Sequence, residues 1–140
     1  MKRILTRILM AAGIAGPFVA HVAAQDHRMI VNIPFTFIAN EMTMPAGQYG
    51  LTQSSASGST FLLRNATTGR AIFVGFGARE VGKPNAASIT FACHGKQCVL
   101  AKVAPPASLS AYSLGRDSVE RNLHHTLGMA SLVSITLTAR

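Results

Sequence analysis

Met29-Ile30-Val31-Asn32-Ile33-Pro34-Phe35-Thr36-Phe37 is the stretch whose reading decides the fold class of this chain. Met29, Val31, Ile33, Phe35 and Phe37 point to one side, and Asn32, Pro34 and Thr36 to the other. That is the two-residue period of a strand with one face buried. Phe35 and Phe37 share that face, so each is expected to carry a large ring area into a core. Pro34 has no N–H to give to a ladder, which places the strand at a sheet edge or puts a bulge at that point. Downstream, Met44-Pro45-Ala46-Gly47-Gln48-Tyr49 holds the proline and glycine of a turn, returns Tyr49 toward the core and feeds a second strand over 48–53.

The same pattern continues along the chain. Ser54-Ser55-Ala56-Ser57-Gly58-Ser59 reads as a hairpin loop, followed by a strand over 60–64. Asn65-Ala66-Thr67-Thr68-Gly69 turns into a strand over 70–76, and Gly82-Lys83-Pro84-Asn85 interrupts before strands over 87–93 and 97–103. Pro105-Pro106 stops the last of these, and a final strand sets Val133, Ile135 and Leu137 against Ser134, Thr136 and Thr138. One segment reads as helix: Asp117 as cap, Glu120 three residues on to complete a capping box, and Val119, Leu123 and Leu127 as a narrow apolar stripe. The gaps between strands leave no room for crossover helices, which excludes a parallel α/β sheet. The expected fold class is all-β: an antiparallel β-sandwich, or a small open barrel, with one short helix before the last strand.

Upstream of the domain, residues 1–24 read as an export signal. Lys2, Arg3 and Arg7 form the basic start, residues 8–20 are uncharged, and Val22-Ala23-Ala24 offers small residues for cleavage between Ala24 and Gln25. Gly13, Gly16, Pro17 and His21 interrupt the apolar run, short of the roughly 20 apolar residues of a spanning helix, so no stable transmembrane span is expected after cleavage. Retention of the segment as an uncleaved anchor is the alternative. Lys2-Arg3 is not a twin-arginine signal, so export unfolded, without a cofactor, is expected. Residues 25–140 then form a single β domain in the periplasm or outside the cell, with room for one core. That domain keeps ten basic residues against five acids, a formal charge of +5. The basic residues are scattered and lack interleaved aromatics, which argues against nucleic acid as a partner. Their sign fits an attraction to an anionic surface or an envelope partner of unknown identity.

The spacing of Val31-Asn32-Ile33-Pro34-Phe35-Thr36-Phe37 and Met44-Pro45-Ala46-Gly47-Gln48-Tyr49 resembles a group of uncharacterised small exported bacterial β proteins with a V-x-I-P-F-x-F … L-P-A-G-x-Y opening. Ile89-Thr90-Phe91 to Val99-Leu100, with Gly95 between, is similar to that group's second hairpin, and Ser118-Val119-Glu120-Arg121 to its S-x-x-E-R segment. The chain departs from the group in having Cys93 and Cys98 in the hairpin. The resemblance implies an exported β domain and carries over no catalytic or ligand residue.

Chemistry concentrates in Cys93-His94-Gly95-Lys96-Gln97-Cys98. Two cysteines flanking a four-residue turn between strands face each other across a hairpin, and in an oxidising compartment they form a disulfide. The competing reading is a zinc site from Cys93, Cys98, His94 and one of His124 or His125, although the spacing is not that of a usual metal pair. Ser118, His124 and Asp117 make a triad on paper without a nucleophile elbow. Glu41, Glu80 and Glu120 read as separate surface charges, and Tyr49 and Tyr112 are the two tyrosines able to offer a sugar platform. Asn65-Ala66-Thr67 matches a glycosylation acceptor in form. No catalytic, metal or cofactor-binding residue is assigned. The function expected is a non-catalytic structural or interaction domain of the cell envelope. The alternatives are a glycan- or small-ligand-binding β module and, behind it, a metal-dependent hydrolase using the Cys/His set.

Overall fold

The alternating stretch at the start of the domain forms two strands in two different sheets. In a computed structural model that describes residues 28–54, 58–81, 86–106, 110–123 and 129–139, β1 (Met29–Ile33) ends where Pro34 withdraws its donor. The chain then crosses the core and resumes as β2 (Phe37–Ala39). Alternation survives the crossing: Met29, Val31, Ile33 and Phe37 all bury in the core, with the half-buried Phe35 packed against it. The expectation of one strand with an edge or bulge proline is therefore corrected to a corner between sheets.

β3 (Met42–Met44) folds back on β2. Asn40 and Glu41, at φ 47° and 63°, supply the two left-handed residues of the tight turn between them. β4 (Gly47–Gln53), β5 (Thr60–Asn65) and β6 (Ala71–Gly75) form a meander beside β1. Then come β7 (Ala78–Val81), β8 (Ser88–His94), β9 (Gln97–Ala104), β10 (Ser110–Ser113), α1 (Arg116–Leu123), β11 (Ser131–Thr136) and β12 (Thr138–Ala139). The first sheet runs β12-β1-β4-β5-β6 and the second β11-β8-β9-β10-β7, with the β2–β3 hairpin attached to β9. The result is a β-sandwich, and the barrel alternative falls away. Its pairing is antiparallel except where Ile38 meets Val99 in parallel.

The last strand repeats the manoeuvre of the first. Val133 and Ile135 lie opposite Phe91 and Ile89 in the second sheet. The Leu137 N–H bonds Ala87 O at 2.9 Å, and β12 then joins β1 with Met29 opposite Ala139. Sheet-switching at both ends of the domain ties the two layers together at their margins.

Between the layers, Phe91 meets Phe35 and Phe37 edge-on, each at 5.2 Å between ring centres, and Phe37 meets Tyr49 at 5.3 Å. A second aromatic group joins Phe61 to Phe76 and Tyr112. In β9, Ala101 is an extra residue opposite the Thr90–Phe91 step, and its carbonyl accepts the Leu114 N–H at 2.8 Å. This bulge shifts the phase by one residue, so that Cys98, Leu100 and then Val103 all face the core.

Helix α1 covers the outer face of the second sheet, burying Val119 and Leu123 against Ala92 and Val99. Its start differs from expectation. The Gly115 carbonyl accepts the Ser118 and Val119 N–H groups at 3.0 and 3.2 Å, which makes Gly115 the cap and sets Asp117 inside the first turn. Glu120 pairs instead with Arg116, Nε to Oε1 at 2.9 Å, an exposed contact that contributes little to stability. The side chain of Asp117, together with Leu127, His124, His125 and the whole of 1–24, lies outside the described residues. Three strands had no sequence signal strong enough to read. β3, β7 and β10 are short, and all four residues of β7 are exposed.

Candidate functional site

The cysteine hairpin folds as expected, on a tighter turn. His94 and Gln97 remain paired in the ladder, leaving Gly95-Lys96 as the turn, with Gly95 at φ 60° in the position where this turn type takes glycine. Cys93 and Cys98 thereby become direct cross-strand neighbours, Cα to Cα 4.0 Å, and are joined by a disulfide. Both are over nine-tenths buried. The hairpin also braces the helix: Gln97 Nε2 donates to Asn122 O at 3.0 Å. Bonded sulfurs have no thiolate to offer a metal, so the Cys/His zinc set does not assemble. Among the described residues no group of three or more His, Cys, Asp or Glu converges on one point. Opening the disulfide by reduction, or by Cys93→Ser with Cys98→Ser, is expected to lower stability by about 2 kcal/mol, from the loop entropy returned to the unfolded chain. Paired denaturation curves with and without reductant measure this, and coincident curves would refute it.

The other candidates disperse. Glu41 sits in the β2–β3 turn, Glu80 on β7 pairs with Lys102, and Glu120 is on α1. Ser118 Oγ accepts from Arg121 Nη2 at 3.1 Å. Tyr49 and Tyr112 are both buried, so neither ring is open as a sugar platform. The Tyr49 hydroxyl donates to Pro45 O at 2.6 Å. Burial raises its pKa, while a hydrogen bond from Asn65 and the charge of Arg70 pull the other way. Asn65 is itself 1% exposed. Its Oδ1 accepts the Thr67 and Thr68 N–H groups at 2.9 and 2.8 Å, and its Nδ2 lies 3.0 Å from where a Cβ on Gly47 would stand. A folded Asn65 has no room for a glycan.

The site that sequence reading missed lies on the outer face of the first sheet. Cross-strand register sets Ile30, Gly50, Arg64 and Ala71 in one row, Gly50 being directly opposite both Ile30 and Arg64. Arg28, just before β1, reaches over β4. A Cβ on Gly50 would stand 3.5 Å from Arg28 Nε and 4.0 Å from the Arg64 carbonyl. The missing side chain leaves a groove of about 320 Å³ lined by Arg28, Ile30, Gln48, Gly50, Arg64 and Asn65. Neither Arg28 nor Arg64 has an acidic partner among the described residues. Phe73, 56% exposed, lies on the same face. The Arg28 guanidinium beside the bare Gly50, with Arg64 in the same lining and no acidic partner for either among the described residues, makes a site suited to an anion. The available signal was a glycine at an outward position, between the inward Tyr49 and Leu51, facing an outward arginine. No family model, curated protein or solved structure matches the chain.

Proposed function

We propose that this chain is an exported, non-catalytic interaction domain of the cell envelope. It loses residues 1–24 on export and docks onto anionic surfaces through the outer face of its first sheet. The observation that carries this reading is the asymmetry of the sandwich: α1 covers the outer face of the second sheet, whereas the first presents Arg28 and Arg64 without acidic partners among the described residues. The disulfide supports folding in an oxidising compartment. Among the described residues no helix is long and apolar enough to cross a membrane, which fits attachment from one side.

Cosedimentation of the protein with envelope fractions, across a salt series, tests the reading. Binding is expected to weaken steadily as salt screens the arginines. Arg28→Gln with Arg64→Gln is expected to bind at least about tenfold more weakly, a loss of about 1.4 kcal/mol, at a melting temperature no lower than the parent's, because neither side chain has an acidic partner among the described residues. Equal binding by the double variant would refute the proposed face.

A further inference from the structure

We infer that Arg28, Gly50 and Arg64 form a clamp for a single phosphomonoester group. The inference rests on the reading of this face as an anion-binding surface and specifies the chemistry it takes. Three observations converge. First, Gly50 lies in the middle of a strand paired on both sides, where glycine is a poor choice because it contributes no packing and gives up backbone entropy. Its φ is not in the left-handed region, so backbone geometry does not demand glycine there. Second, the space that a side chain would fill lies against the Arg28 guanidinium. Third, the residue directly opposite is Arg64. Arg28 and Arg64 stand on opposite sides of β4, and both line the one groove over Gly50, so two like charges share a patch. With no acid among the described residues to separate them, an anion seated between them relieves their repulsion.

The charge and shape of that anion follow from the donors. A carboxylate has acceptor sites for both arginines but brings only one negative charge to two positive ones. A phosphomonoester carries about −1.5 to −2 at neutral pH and presents three acceptor oxygens, enough for both forks. The groove is open on the solvent side and has the half-buried Ile30 in its lining and Leu62 nearby on the same face. It can therefore take a phosphate attached to a larger body, whether a lipid headgroup at a membrane surface or a soluble molecule.

Inorganic phosphate, titrated at constant ionic strength against chloride into the protein as isolated and followed at the Gly50 amide by NMR, tests the clamp. A saturable shift is expected. Gly50→Thr supplies the decisive comparison. It places a strand-favouring residue where the backbone accepts one, so its melting temperature is expected to equal or exceed that of the parent. Its side chain displaces the Arg28 guanidinium, and phosphate affinity is expected to fall at least about tenfold. Arg64→Gln should lose affinity to a similar degree.

Vesicles of phosphatidylcholine doped with phosphatidic acid, against phosphatidylglycerol at matched charge, separate the sources. Preference for the monoester lipid assigns a headgroup, and phosphate binding without that preference assigns a soluble phosphomonoester. Absence of a saturable shift, or a Gly50→Thr titration matching the parent, would overturn the clamp. In that event, loss of envelope binding by the double arginine variant would still leave the broader reading of the face standing.

Discussion

Phe91→Ala is expected to lower the free energy of unfolding by about 3–5 kcal/mol, the range for removing a fully buried aromatic ring. Phe91 has no exposed surface and is the point where three separate segments meet. It touches Phe35 in the sheet-to-sheet crossing and Phe37 in β2, and lies opposite Leu100 in β9 and Val133 in β11. Both rings that stack on it edge-to-face lose that partner at once, adding to the cavity left behind. Against a typical domain stability of about 5–15 kcal/mol, the loss brings the protein close to unfolding at physiological temperature. Urea denaturation checks this. The midpoint should fall sharply while the slope stays constant, since the surface exposed on unfolding is nearly unchanged. Phe91→Leu, which keeps most of the volume, should cost under about 1.5 kcal/mol. A loss below about 1 kcal/mol for the alanine variant would show that the aromatic group does not organise the core.

The second large effect is expected at a polar residue. Asn65→Ala should destabilise by about 2–3 kcal/mol, because its side chain satisfies several groups at once. The Thr67 and Thr68 N–H groups both lose their acceptor, and with it the turn that joins β5 to β6. The Tyr49 hydroxyl, whose raised pKa reflects its burial, loses the Asn65 hydrogen bond as well. Thr67 and Thr68 are exposed and the Tyr49 hydroxyl keeps Pro45 O as acceptor, so the cost is that of the bonds lost, each about 0.5–1.5 kcal/mol net. Tyr49→Phe alone should cost about 1 kcal/mol through the contact to Pro45 O. Combining both changes should give less than the sum of the two, with a coupling of about 0.5–1 kcal/mol. Full additivity in that double-mutant cycle would show that Asn65 and Tyr49 do not act together.

Asn65 also illustrates how much of the candidate chemistry was legible. Its triplet matches a modification motif, yet the motif describes only the chain, whereas the side chain is committed to its own turn and to Tyr49. The cysteine pair was readable because a hairpin brings near neighbours together: once two strands flank a short turn, the cross-strand partner of Cys93 follows from counting. The arginine groove was not, because Arg28 and Arg64 become neighbours only when β1 and β5 both flank β4, a pairing between distant segments that no local spacing records.

The same division runs through the fold. The two-residue alternation of Met29, Val31 and Ile33, of Tyr49 and Leu51, and of Val133 and Ile135 is a property of the extended backbone itself, so the inward faces and the all-β class followed from the sequence alone. The apolar pair Val119 and Leu123 was equally local and equally legible, whereas Pro34 signalled an irregularity without showing that it ends the strand. Which sheet each strand joined was decided by tertiary structure, since alternation is the same on either side of a corner. The crossings after Ile33 and at Leu137 preserve the inward phase and leave no mark in the pattern. Long-range packing against Phe91 and β1 selects them, because only that arrangement closes both margins of the sandwich over one core.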